Sequence, residues 1–546
     1  MAENLSDAVR RRNRGRFVAG MAIVAATAMA GCSASGSTNS SATPKVFVAA
    51  MEQATLRTLD PNNSYDPAWF IFGHALYSTL VTFNSHKVSQ LEPLLAKSWD
   101  MSSDGMSCTF NLNPSAKFSD GSHVTAADVV FSFTRLENLK GVALFLVDNI
   151  TSVKATSGET VVFTLKTADF TFPYILTSPS LGIIEPKVVQ AHGGTDAANA
   201  STTDTAGPWL DEHSAGSGPY VLQSWTRGQQ LVLMRNNNYW GPMASFPEII
   251  FKFVSAPETE QLMLEKGQAA IAMDLSPAEL TSVKSMSSIA LAKTDALTQI
   301  YMGWVADAGM SPALANPENW TAIKYAINYQ DIVTLAAGGA VQAGSLVPNA
   351  LEGALAPSAG FHQDLAKATQ ALAAAGNPTG FSFTLTYAED ETAAGLPMGE
   401  IAQSLKSSLG QAGITMNLDP ELAVNFLAAY RGATLPAVIH GWADDYPATS
   451  DFLPTFAPGG VVATREHWPL GSDNAITTLT NKAFETGKAT TRDSMISQAL
   501  TLLNQEGPYA PLLDTQYRFA YNKTLVSNVT ANSLWWIDLE SVTPAQ

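Results

Sequence analysis

Apolar and polar positions alternate in two different periods along this chain, and the periods switch repeatedly. Lys45-Val46-Phe47-Val48-Ala49-Ala50 is a nearly unbroken apolar run, which predicts a buried strand. Ser107-Cys108-Thr109-Phe110-Asn111-Leu112 alternates strictly, so it predicts a half-buried strand with Cys108 as a small core residue. Thr125-Ala126-Ala127-Asp128 predicts a helix start. Thr125 is the N-cap, and Asp128 three residues on completes a capping box with Asp in place of Glu. Val129, Val130, Phe133 and Leu136 then form an apolar stripe. A second helix is predicted over 364–375, with Leu365, Ala368 and Leu372 on one face and Gly376-Asn377 as its stop. Phe381 to Tyr387 alternates and predicts the strand that follows. Strands and helices interleave with no short repeat, so the chain is α/β. The Gly/Ser/Thr-rich stretch 193–207 suits a crossover between lobes.

Ahead of the first strand the pattern is of another kind. Arg10, Arg11, Arg12, Arg14 and Arg16 precede an uncharged run from Phe17 to Ala30, then Gly31-Cys32, then a Ser/Thr/Gly/Asn-rich stretch to Pro44. A basic segment, a short apolar segment and small residues at a cut site are the signature of an export signal. The apolar run falls short of the roughly 20 residues that a spanning helix needs. Gly31-Cys32 with its polar follow-on resembles a bacterial lipobox, although Met29 stands where that pattern prefers Leu. The resemblance implies a signal peptide over 1–31, lipidation of Cys32, and a flexible tether over 32–44. The body is then extracytoplasmic and held at the outer face of the cell membrane through lipid alone.

Length and charge narrow the function. A chain of 546 residues exceeds what one core usually serves, so two or three lobes are expected. Its net charge is −17, and the five leader arginines make the remainder more acidic still. That balance argues against nucleic acid as a partner, because phosphate contacts need Lys and Arg. With Cys32 lipidated, Cys108 has no partner for a disulfide. No G-x-S-x-G, H-E-x-x-H, P-loop or G-x-G-x-x-G motif occurs, and the eight histidines show no metal-ligand spacing. The expectation is a protein that is not an enzyme and has no cofactor or metal.

Several blocks in fixed order carry more. They are Leu59-Asp60-Pro61, Leu94-Leu95-Ala96-Lys97-Ser98-Trp99, Ser103-Asp104-Gly105, Lys117-Phe118-Ser119-Asp120-Gly121 and Thr125 to Leu136. Gly218-Pro219-Tyr220, Arg235 to Trp240, the 364–376 helix, Gly413-Ile414 and Gly507 to Leu512 continue the series. From about Val46 to about Trp536 the chain resembles the family 5 extracytoplasmic solute-binding proteins (oligopeptide, dipeptide and nickel class) that serve ABC importers. It departs where the family carries Arg and this chain has Trp320, and where an acidic residue is replaced by Ala270. The Trp320 change raises the prospect of altered packing or an altered contact near the ligand.

The resemblance implies a two-lobed type II periplasmic-binding-protein fold of the large peptide-binding class, with an extra domain inserted in lobe I. Lobe I takes 45–77, 206–297 and 515–546, the extra domain 78–205, and lobe II 298–514. It implies a monomer that captures a peptide between its lobes and hands it to an ABC permease and its ATPase subunits. A surface receptor or chaperone-like peptide holder is the alternative from another class. So is a family member for a nickel complex, haem, glycan or opine. Gly441-Trp442-Ala443-Asp444-Asp445-Tyr446 resembles the family's "GW…DY" segment. The backbone at Gly441, Trp442 and Ala443 would pair with an extended peptide, and Asp445 would accept its α-ammonium group. Counting on from Leu59-Asp60-Pro61 puts Asp66, Pro67, Ala68 and Trp69 at the opposite wall, Trp69 against a ligand side chain.

Overall fold

The computed structural model describes residues 46–52 and 56–546. The signal segment, Cys32 and the tether lie outside the described residues. Val46–Met51 forms a strand running parallel to Glu248–Phe253 on one side and to Ile271–Ala272 on the other. Parallel strands are covered on both faces and demand continuous apolar sequence, and here Phe47, Ala49, Ala50 and Met51 are all buried.

Among the described residues, eleven strands join into one sheet. Along it stand strands 415–421, 382–388, 437–443, 289–304, 509–522, 271–272, 46–51, 248–253, 230–235 and 220–226, with 340–342 paired to 509–522. Two strands run through both ends of this order. Ile289–Trp304 and Tyr509–Asn522 pair antiparallel over 289–295 and again over 299–303, with the register broken between Asp295 and Gln299. At the break Leu297 takes φ +44°, a left-handed conformation that costs a residue with a Cβ about 1–2 kcal/mol. Burial of its side chain holds it there. Separate buried clusters fill the two ends: Phe47, Phe72, Phe251 and Tyr220 in one, Trp304, Ile323, Leu405 and Leu512 in the other.

A smaller four-stranded sheet lies apart, ordered 96–101, 107–112, 160–165 and 150–155. Cys108 and Phe110 point into its core as the alternation predicts. Helix Ala126–Leu139 covers it, and Phe133 meets Phe163 edge-on at 5.0 Å. The capping box forms: the Asp128 carboxylate accepts from the Thr125 backbone N–H at 2.8 Å. The stripe is not quite the expected one. Val130 is half-exposed, whereas Phe131, Ser132 and Arg135 are buried. The guanidinium of Arg135 explains this second face. It donates to both Asp60 oxygens at 2.8 Å, to both Asp204 oxygens at 2.8 and 3.0 Å, and to Asn62 at 2.8 Å. One side chain thus ties the Leu59-Asp60-Pro61 block, this helix and the Gly/Ser/Thr stretch together. Gly218 serves a similar joint: a Cβ there would stand 2.3 Å from the carbonyl oxygen of Ala75.

The second predicted helix runs Leu365–Ala374, with the Asp364 side chain accepting from the Lys367 N–H at 3.0 Å and Gly376 at φ +78° beyond it. The strand after it is Ser382–Ala388, shifted one residue from expectation, with Phe383, Leu385 and Tyr387 buried.

Candidate ligand-binding cleft

Strand Ala437–Ala443 ends at the mouth of a cavity of about 1160 Å³. Its whole length pairs antiparallel with Thr298–Trp304. Its pairing with the parallel strand 382–388 consists of Val438 against Thr386 alone. From Ile439 onward the backbone therefore has a strand neighbour on one edge only, among the described residues. Gly441, Trp442 and Ala443 occupy this half-paired stretch and line the cavity. Trp442 stands edge-on to Phe456 at 6.2 Å, with the Arg465 guanidinium 6.0 Å from its ring centre.

Past the strand the chain turns into helix Thr449–Phe456; Asp444 and Asp445 lie in the turn and Asp451 in the first turn of the helix. Asp444, Asp445 and Asp451 all line the cavity. The Asp445 backbone N–H donates to Asp451 Oδ2 at 2.7 Å. Burial pushes the Asp445 carboxyl up to about 7, against the pull of its hydrogen bond with Asp451. Burial also holds Asp444 well above the usual carboxylate range. Asp451 is raised by burial first and by the neighbouring charge of Asp445 next. His440, between Phe426 and Tyr430, is driven the other way, down to about 4, by burial and then by Arg465 and Arg431.

The opposite wall differs from expectation. Tyr65, Pro67 and Phe70 line the cavity; Asp66, Ala68 and Trp69 do not. Helix Pro67–Leu76 begins at this point, and its turn carries positions 68 and 69 inward. Trp69 is fully buried, lying against Gly73 and 6.0 Å from Tyr77, and Ala68 is buried beside it. The Asp66 carboxylate is taken up by Arg57, with Nη2 at 3.0 Å and Nε at 3.1 Å from Oδ1. Counting residues found the right segment but not its helical phase. The aromatic residues that face the cavity, Tyr65 and Phe70, sit 6.1 Å apart, and Phe145 meets Tyr65 at 5.2 Å. Phe145 arrives from the region of the small sheet, with Asp148, Asn149 and Asp169, none of which the sequence singles out. Trp320 lies away from the cleft: it is buried, its indole N–H donates to the Leu314 carbonyl, and it borders another pocket with Ala306 and His467. Trp320 is therefore a packing residue.

The chain belongs to the bacterial extracellular solute-binding proteins, family 5, whose profile matches residues 90–463. That family serves ABC importers, and its members act outside the cytoplasm. The chain is 27% identical to the probable D,D-dipeptide-binding periplasmic protein DdpA of Escherichia coli K12, over 88% of this chain and 91% of that one. It is 26% identical to the glutathione-binding protein GsiB of Shigella flexneri, over 86% and 89%. In fold it superposes on HbpA2 of Haemophilus parasuis with a TM-score of 0.79 at 22% identity, over 92% of this chain and all of that one. DppA of Helicobacter pylori, solved with the peptide STSA, gives 0.73 at 22% identity, over 92% and 98%. No helix among the described residues is long and apolar enough to cross a membrane.

Proposed function

We propose that this protein is the peptide-capturing component of an ABC importer, tethered by lipid at Cys32 and delivering its ligand to a membrane permease. One observation carries the reading. The half-paired edge of His440–Ala443 runs along the cavity and ends at acidic residues that enter no ion pair among the described residues. An extended peptide can add to that edge through its own backbone, which requires no particular side chains. Its α-ammonium then meets Asp445. Relatives named for a D,D-dipeptide and for glutathione support a short peptide as ligand. In this reading 45–77, 206–297 and 515–546 form one lobe, 298–514 the other, and 78–205 the inserted domain. The long strands 289–304 and 509–522 join the lobes.

The direct test is mass spectrometry of small molecules released on denaturing the purified protein, followed by calorimetry of what is found. Asp445→Ala removes one partner of a buried charge pair, a change that costs about 3–5 kcal/mol. Binding of free-amine peptides should fall by about two to four decades. A loss of less than about fivefold, or steady cleavage of the peptide by the pure protein, would end this reading.

A further inference from the structure

The carboxylates of the cleft outnumber what one ammonium group needs. Asp148, Asp169, Asp444, Asp445, Asp451 and Glu485 line it, against the guanidinium groups of Arg431 and Arg465. Three of the acids come from one stretch, the turn after strand 437–443 and the first turn of helix 449–456. Asp445 and Asp451 are hydrogen-bonded to each other, and Asp444 precedes Asp445 in the chain. Among the described residues, no ion pair includes any of the three. Asp444 is only 8% exposed, and its Oδ2 is buried with no hydrogen-bond partner. Asp451 is 7% exposed.

A buried carboxylate without a partner is costly, and natural folds satisfy such groups. Asp169 shows the satisfied alternative in the same cleft: it accepts from the Thr171 N–H at 2.7 Å and from its hydroxyl at 2.6 Å. Asp204 shows another, paired with Arg135. Asp444 Oδ2 has neither, although Asp451 accepts from the Asp445 N–H. The arginines that border the cavity do not fill the gap: Arg465 lies over the rings of Tyr430 and Trp442. The partner that Asp444 Oδ2 lacks is left for a ligand in the cleft to bring, and a cation there would draw the neighbouring carboxyls into their charged form.

We propose that this end of the cleft recognises a doubly cationic terminus: a peptide whose first residue is Lys or Arg. Its α-ammonium binds Asp445, and its side-chain cation is held by Asp444 and Asp451. The inference rests on the peptide reading above and names the preferred first residue. The neutral walls Tyr65 and Phe70 suit the methylene stem of such a side chain.

Titration calorimetry with Lys-Ala-Ala and norleucine-Ala-Ala tests it, because the two differ only by the ammonium group that ends the first side chain. Lys-Ala-Ala should bind at least about tenfold tighter, and should release more protons when the titration is repeated in buffers of different ionisation enthalpy. Asp444→Asn and Asp451→Asn should each bring the ratio of the two affinities towards one, whatever happens to the absolute affinity for norleucine-Ala-Ala. Equal affinity for the two tripeptides, or a preference that survives in the Asp444→Asn Asp451→Asn double variant, overturns the inference and leaves the peptide reading standing. Binding of neither tripeptide counts against the peptide reading instead, and 1,5-diaminopentane against pentylamine then decides the charge. Tighter binding of the diamine sustains a doubly cationic ligand, and no difference overturns it.

Discussion

Asp444 is a residue that folding alone would not choose. Its carboxyl sits buried, and its Oδ2 has no donor. Burial raises its protonation range, so the folded protein holds a proton that the unfolded chain gives up above about pH 4. The sign follows from linkage. The folded state binds more protons than the unfolded one, so the group's contribution to stability falls as pH rises from there. Below about pH 4 both states are protonated and the penalty vanishes. Asn has the same shape and no charge. Asp444→Asn should therefore stabilise the ligand-free protein at pH 7.5, by about 0.5–2 kcal/mol. The gain should shrink towards zero as the pH is lowered to about 4. Thermal melts across that range check it, and a gain that does not depend on pH would mean that the charge is not its source. A stability defect relieved by such a change is the usual mark of a group kept for binding.

At the scale of elements, the ends of helices decide which pieces are held together. Helix Ala489–Glu506 leaves its last carbonyls unpaired within the helix, as every helix does. Here they are met from another element: Lys324, on helix Pro317–Ala326, donates to the carbonyls of Asn504 at 2.7 Å, Gln505 at 3.1 Å and Gly507 at 2.8 Å. The ammonium is fully buried, so nothing else can replace it. Lys324→Met keeps the stem and removes the donors. It should lower the unfolding free energy by about 1–3 kcal/mol in urea. Ligand affinity should not change, since Lys324 is not among the cavity residues. The cleft depends on a comparable junction. Strand 437–443 stops and helix 449–456 begins within a few residues, and that turn brings the Asp445 backbone N–H to the Asp451 carboxylate.

For the whole molecule, the two long strands and the cavity between their flanking segments set what a ligand can do. The strands are continuous through both ends of the sheet, with an irregularity at 295–299 where the backbone ladder is interrupted. A ligand held by residues from both ends favours whichever arrangement lets both touch it. Adding a bound peptide should shrink the radius of gyration in solution scattering. It should also raise the unfolding free energy by about 2.7 kcal/mol at a hundredfold excess over Kd. A peptide that binds with no change in the scattering profile would mean that the two ends do not close on it. The proposed lipid anchor makes a prediction at the same scale. Cys32→Ser should move the protein from the membrane fraction to the soluble one, because a single acyl chain binds marginally and lipid is the proposed anchor. Unchanged membrane fractionation and processing in the variant would rule the anchor out.

Much of this protein is legible from local order in its sequence. The capping box at Thr125 and Asp128, the stop at Gly376, the alternating strand after it and the buried run at Val46 depend on neighbours within a few residues, and all four formed. The order of the short blocks sufficed for the family, since their spacing records the whole architecture at once. The segment Gly441 to Asp445 was readable as part of the cleft for the same reason. Tertiary structure decided the rest. Whether Trp69 or Phe70 faces the cavity depends on the helical phase from Pro67, and a shift of one residue turns a side chain by about 100°. Asp66 was spent on Arg57, nine positions away across a loop. Arg135 reached Asp60 and Asp204, and Phe145 came to the cavity from the small sheet, through contacts that no window of sequence contains. The convergence of Asp451 on Asp445 is of this kind as well: six positions apart in the chain, they meet because the turn between strand and helix folds the carboxylate back onto the backbone N–H.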